Sequence, residues 1–231
     1  EEAYLLKLSK FQKQIFDAIK KDKLKILPTK RKNEVISFIK QGLHDISVSR
    51  RKEDVSWGIE LPFDKKHTSF VWVDAFYNYW TGLKNKKKFW PPTVQLMAND
   101  ILRVHSTIWP AILLGLKKKL PQSFFVHGYF TVNGQKMSKS LGNVTDPIAI
   151  ANKYGADSLR FWASSSKLGE DINYQEKDLI TGKRTVTKLF NASKLILTNL
   201  KDYKNQVPEK LELVDSWLLS KLNNIVKVCT E

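Results

Sequence analysis

The sequence predicts an α/β fold: a parallel sheet with helices packed against it, followed by a purely helical segment. Apolar, strand-like runs alternate with stretches of helical period up to about residue 175. Beyond that point the strand signals stop and two helical patterns follow. The chain has 231 residues, 42% of them hydrophobic, with seven Trp and twelve Phe, which suffices for a real core in one large domain or one and a half.

Taken in order, Leu5, Leu8, Phe11, Ile15, Phe16 and Ile19 recur at helical spacing, so the first twenty residues read as an amphipathic helix, ended by a lysine-rich turn and Pro28. "NEVISFIKQGL" places Val35, Ile36, Ile39 and Leu43 on one side of a second helix, closed by Gly42. "HDISVSR" and "TSFVWVDAFYNYW" carry the β-branched and aromatic residues of strands, the second apolar enough for burial on both faces. "TVQLMAND" is another strand. It leads into the helical pattern "ILRVHSTIWPAILLGL", in which Pro110 marks a kink. "SFFVHGYFTV" is strand-like, and "NGQK" makes a hairpin-type turn. After a boundary near residue 175, "RTVTKLFNASKLILTNL" and "VDSWLLSKLNNIVKVC" are helical, joined by the polar linker at residues 201–212. No internal repeat is present.

Net charge is +16, from 39 Lys and Arg against 23 Asp and Glu, and only six of the 39 are arginine. Lysine is a point charge suited to phosphates, so a polyanionic partner is expected, with little sequence readout. The same excess also fits solvated faces. The single cysteine, Cys229, excludes a disulfide framework and a cysteine-based zinc site, and fits a reducing, cytoplasmic setting. No apolar run approaches the ~18 residues of a membrane helix, and no signal peptide is visible, so no membrane association is expected. The sequence opens in mid-pattern without Met, as expected of a chain that starts partway through a longer protein.

The chemistry concentrates in "NGQKMSKSLGNVTDP", residues 133–147. Gly134 and Gly142 give a closing loop its conformational freedom, and Lys136 and Lys139 can offset charge on a triphosphate. By composition alone, a surface turn with two lysines is commoner than a catalytic loop.

As a string, Lys136-Met137-Ser138-Lys139-Ser140 matches the KMSKS signature of class I aminoacyl-tRNA synthetases, and "LGNVTDP" with "IANKYGADSLRFW" resembles their continuation. "RKNEVISFIKQGLHDISVSR", "WGIELP", "FVWVDAFYNYW" and "NDILRVHSTIWPAIL" resemble the methionyl-tRNA synthetases. The resemblance implies the second half of a Rossmann-type nucleotide-binding sheet, residues 1–175, and the start of the anticodon-binding helical bundle, residues 176–231. It implies catalytic roles for Lys139 and, in support, Lys136. An ATP site would comprise Asp100 on the ribose, His127, Gly128 and Tyr129 along the adenine, and Met137, Ser138 and Lys139, with Arg50 as a further contact. Trp72, Ala75, Tyr79, Ile101, His105 and Trp109 fall on methionine-pocket positions. Aromatic faces suit a thioether, a neutral His or Tyr could offer its sulfur a weak hydrogen bond, and His105 and Trp109, four residues apart, share a helix face.

The implied activity is ATP-dependent ligation of methionine to its tRNA through methionyl-adenylate, with Mg²⁺ accompanying ATP, no zinc site in this chain, and tRNA as partner. The runs "KNKKKFW" and "KKKL" would then track tRNA phosphates. The pattern also departs from the family. Ala98 stands where glycine is usual, Phe76 where a smaller residue or proline is common, and Val104 where an aromatic is common. "GEDINYQEKDL" and "DSWLLSKLN" look closer to valyl- or isoleucyl-tRNA synthetases. The four histidines, His44, His67, His105 and His127, form no HIGH motif, so activity would need an N-terminal HIGH-containing half in cis or in trans. A valyl- or isoleucyl-type fragment and a non-catalytic tRNA-binding relative stay open as alternatives.

Overall fold

The computed structural model of the chain describes residues 2–204 and 210–230. Its first elements are a two-residue strand, β1 (Leu5–Leu6), a 3₁₀ turn (Leu8–Phe11) and α1 (Gln12–Lys20), so the helix expected over the first twenty residues is reduced to its second half. Two interactions pull the chain off a helical path. Leu5 and Leu6 pair with Ser47 and Ile46, and the Ser9 N–H and hydroxyl both donate to Asp45, at 3.1 and 2.6 Å. The periodic residues Leu8, Ile15 and Ile19 are nevertheless buried, as their spacing predicts.

Next come β2 (Lys25–Leu27), α2 (Thr29–Lys40), β3 (Ile46–Ser47), β4 (Ser49–Arg51), β5 (Glu60–Leu61) and β6 (Asp64–Ser69). β2 is only three residues long, too short to show a period in the sequence. The stretch "FVWVDAFYNYW", expected as a buried strand, is instead α3 (Val71–Thr81). Trp72, Phe76, Tyr79 and Trp80 recur at helical spacing, and this tertiary demand overrides the strand propensity of Val, Trp, Phe and Tyr. Asp74 in the first turn suits the positive end of the helix dipole.

The chain continues through β7 (Gln95–Ala98), α4 (Leu102–Gly115), β8 (Ser123–His127), β9 (Phe130–Val132) and β10 (Gln135–Lys136). α4 runs unbroken through the buried Pro110. The predicted hairpin turn joins β9 to β10, with Asn133 and Gly134 both at positive φ (51° and 78°). Then follow α5 (Pro147–Tyr154), α6 (Ala156–Ser164), β11 (Ile172–Asn173), α7 (Glu176–Asn199) and α8 (Leu213–Thr230). The Asp146 carboxylate caps α5 by accepting from the Ile148 N–H at 2.9 Å.

β2, β8 and β7 form an all-parallel sheet with β8 in the middle. Phe124 and Val126 of β8 are fully buried, with Ile15, Ile19, Ile39, Leu113 and Trp109 in the same core. Each such side chain contributes about 1.5–3 kcal/mol of transfer free energy. β4, β6 and β5 form a separate antiparallel sheet, and β9 pairs with both β10 and β11. Ile150, Trp162 and Leu179 make a second, smaller core.

The chain separates into compact units of residues 1–182 and 183–231. Within the second unit, the described parts of α7 and α8 expose many apolar side chains, among them Phe190, Leu195, Trp217 and Leu222. The predicted linker, residues 201–212, lies outside the described residues at 205–209.

Candidate active site

The parallel strands all end on one edge, where α/β sheets bind nucleotides. There, the carboxyl end of β7 leads through Ala98 into Asp100, and that of β8 into His127, Gly128 and Tyr129. Ala98, Asp100, His127, Tyr129, Lys136 and Met137 border a cavity of about 170 Å³. Its chemistry fits a nucleotide: a carboxylate for a diol, the flat face of Tyr129, and a cation. Pockets that take ligands of that size usually measure ~300–1,000 Å³. The Lys136 ammonium projects into the cleft. Its Nζ lies 3.2 Å from Asp100 Oδ2 and 3.8 Å above the Tyr129 ring.

Gly128 answers to a close approach of backbone. A Cβ there would lie 2.2 Å from the Glu170 carbonyl oxygen, so no side chain fits. The neighbouring Tyr129 N–H donates to Asp171 Oδ1 at 2.7 Å, and its carbonyl accepts from Ile172 N–H at 2.8 Å. The His127 ring stacks on Phe130, which in turn contacts Trp162 of the smaller core.

The signature loop is held by a residue the sequence reading did not single out. Asn143 accepts from the Ser138 N–H at 2.8 Å and donates to the Lys136 carbonyl at 3.2 Å. Gly142, at φ 65°, makes the turn that brings this amide back. A short polar residue directly after such a glycine was the available signal. The Ser138 and Ser140 hydroxyls are 2.7 Å apart. Met137 is half-buried, and its N–H donates to the Phe130 carbonyl at 2.8 Å. Lys139 is exposed and forms no ion pair with any described residue.

α3 and α4 bring five rings together beside this cleft. Trp72 lies 6.2 Å from His105, Tyr79 lies 5.9 Å from His105 and 5.8 Å from Trp109, and Phe76 stacks on Trp109 at 5.3 Å. Phe76 fills the centre of the cluster at 1% exposure, a placement the sequence reading noted only as unusual. Ala75 shares its face of α3, and Ile101 contributes its carbonyl, which accepts from His105 Nδ1 at 2.8 Å. A carbonyl can only accept, so the proton sits on Nδ1 and Nε2 is the acceptor. The Tyr79 hydroxyl donates to that Nε2 at 2.9 Å. Burial lowers the His105 pKa from 6.5, keeping the ring neutral, and raises that of Tyr79. Both hydrogens are therefore committed, and neither is free for a sulfur while these bonds stand. Trp109 Nε1 donates to the buried Gln95 Oε1 at 3.2 Å.

Of the residues predicted from the sequence, Asp100, His127, Gly128, Tyr129, Lys136 and Met137 meet in one cleft, and Trp72, Tyr79, His105 and Trp109 in one cluster. Arg50 borders neither. Its guanidinium donates to Ser47 Oγ and the Ser49 carbonyl and lies 4.4 Å from the Phe70 ring. Among the described residues no group of three or more His, Cys, Asp or Glu is placed to hold a metal ion.

Known proteins are similar to this chain in sequence and in fold. The sequence model for "tRNA synthetases class I (M)" matches residues 1–194. The methionine–tRNA ligase of Rickettsia prowazekii is 38% identical over 231 residues, covering 96% of this chain and 44% of that protein. That of Clostridium perfringens is 44% identical over 170 residues, covering 70% of this chain and 26% of that protein. The crystal structure of Mycobacterium tuberculosis methionyl-tRNA synthetase bound by methionyl-adenylate superposes with a TM-score of 0.82 at 31% identity, covering 98% of this chain and 47% of that one. The chain thus spans less than half the length of these relatives. The match over residues 1–194 shows that the chain belongs to the class I (M) tRNA synthetases.

Proposed function

We propose that this chain is the KMSKS-bearing part of a methionine–tRNA ligase. Residues 1–175 are the C-terminal half of its catalytic domain, and residues 176–231 open its helical anticodon-binding bundle. One relationship supports this above all. Lys136, Asp100 and Tyr129 converge at the carboxyl edge of the sheet, and the chain from Asp100 runs directly into the helix that carries His105 and Trp109. Nucleotide and amino acid would therefore lie side by side. The apolar residues exposed on α7 and α8 suit helices that belong to a larger bundle.

In this reading a methionine carboxylate attacks the α-phosphorus of Mg²⁺-bound ATP, and pyrophosphate departs as the adenylate forms. Asp100 holds the ribose hydroxyls, while His127, Gly128 and Tyr129 flank the base. The loop from Lys136 to Ser140 closes over the phosphates, and Lys139, unpaired among the described residues, meets the negative charge that grows on the leaving group. Lys136 must first release Asp100, because both cannot occupy the ribose position. A terminal hydroxyl of tRNA then attacks the adenylate's carbonyl carbon and takes the methionyl group, and AMP leaves as the acyl–phosphate bond breaks. Trp72, Ala75, Tyr79, Ile101, His105 and Trp109 hold the side chain, the thioether being recognised by ring faces and polarizability rather than by a donated hydrogen. Trp72, His105 and Trp109 together would crowd a β-branched valine or isoleucine.

The triphosphate also requires the HIGH-bearing N-terminal part, since no such motif occurs in these residues. The test is amino-acid-dependent ATP–pyrophosphate exchange after combining the chain with that part. Methionine should support exchange, valine and isoleucine should not, and the chain alone should be inactive. Exchange driven by valine, or robust exchange by the chain alone, would defeat the proposal.

A further inference from the structure

We infer that the amino-terminal edge of the parallel sheet is a second RNA-binding surface, a lysine track that engages phosphates without reading sequence. Three loops enter this edge: residues 21–24 before β2, residues 116–122 before β8, and residues 82–94 before β7. The strand order β2-β8-β7 sets them side by side. They are stitched together: Lys25 N–H donates to the Gln122 carbonyl at 2.9 Å, Gln122 N–H to the Pro92 carbonyl at 3.0 Å, and Trp90 Nε1–H to the Lys119 carbonyl at 3.1 Å. Runs far apart in sequence thereby become one surface.

Every loop brings lysines. Lys21 and Lys23 come from the first, residues 117–119 from the second, and Lys84 with residues 86–88 from the third. All are exposed, and none forms an ion pair among the described residues. Asp22, the acid within the first loop, is neutralised by Lys32 at 2.8 Å. Lys84 and Lys117 hold φ of 44° and 53°, a region that favours glycine, so backbone geometry does not explain lysine at either position. The Lys118 ammonium lies 4.6 Å over Trp80, and Phe89 beside Lys88 is 59% exposed, a surface on which a base can stack.

This edge is distinct from the nucleotide cleft, which occupies the opposite ends of the same strands, about 13 Å away along β8. The nucleotides at the cleft therefore cannot be those on the track. RNA is the polyanion this family handles, and lysine point charges suit a backbone. The inference does not depend on adenylation by the chain.

The test is fluorescence anisotropy of the full chain with a labelled hairpin RNA of unrelated sequence, across about 50–200 mM salt. Lys87→Glu/Lys88→Glu and Lys118→Glu/Lys119→Glu should each weaken binding more than tenfold and flatten the log–log salt slope by about 2. Lys7→Glu/Lys10→Glu, the same charge change at the other end of α1, should shift affinity less than threefold. Equal losses in all three variants would reduce the track to diffuse charge. Edge variants that alter melting temperature but not RNA affinity would show that these lysines only offset helix carboxyl ends. Binding to phosphatidylserine vesicles with none to RNA would assign the surface to membranes and overturn the inference.

Discussion

Lys136 and Asp100, 36 residues apart in sequence, form an ion pair of 3.2 Å across the mouth of the nucleotide cleft. Both side chains are about half-exposed, so the pair contributes no more than ~1 kcal/mol to stability. Its larger effect is on access. A ribose that needs Asp100 must displace a lysine already bound there. Lys136→Ala should leave the urea midpoint unchanged within error while altering the ATP dependence of pyrophosphate exchange in the complete enzyme. A large loss of stability would show the pair to be structural.

Lys139, on the same loop, forms no ion pair among the described residues. Lys139→Ala should slow exchange by ~10²–10³-fold, the usual effect of removing one preorganised charge stabiliser. Methionine affinity, measured by equilibrium dialysis, should be unchanged, since this side chain lies outside the aromatic cluster.

Tyr79→Phe removes the hydrogen donated to His105 Nε2 and leaves a buried acceptor unpaired, costing about 1–3 kcal/mol. The freed imidazole could then re-orient, so discrimination between methionine and leucine-like analogues should change as well. Competition kinetics would report it.

Two histidines give opposite pH signatures. The His105 pKa is lowered from 6.5 by burial, so below about that pH the unfolded chain binds a proton that the folded chain refuses, and stability falls. The His67 pKa is raised by its hydrogen bond to Asp64, 2.7 Å away, so its contribution is complete below 6.5 and is lost as pH rises through the raised value. Denaturation midpoints between pH 5 and 8 should show His105→Gln flattening the acid side and His67→Gln the neutral side.

Gly128→Ala should destabilise by about 1–3 kcal/mol, toward the upper end, because the obstructing atom is a backbone oxygen that cannot swing aside. At Gly134 an added methyl meets open space, so there the cost is backbone strain alone.

The parts of this fold legible in the sequence were those with a period or a string. α4 shows its face in His105 and Trp109 four residues apart, and the loop announces itself in five consecutive residues. α3 carries the aromatic and β-branched residues that suit strands, and its helical face shows only in the burial of Phe76 against Trp109. β2 and the pairing of Leu5–Leu6 were too short to carry a signal. The Asn143 clamp and the Lys136–Asp100 contact depend on how distant backbones approach, which spacing does not encode.

Gln95 has a further consequence. By accepting from Trp109, while half-buried Ile101 accepts from His105, buried Gln95 helps fasten the α4 side of the aromatic cluster. Trp72 and Tyr79 on α3 are only partly covered, and Tyr79 is held through its hydroxyl's bond to His105. Accommodation of differently shaped amino acids should thus fall to α3, and a search for variants with widened substrate range would succeed soonest by randomising positions 72 and 79 while leaving buried Phe76 and the opposite wall untouched.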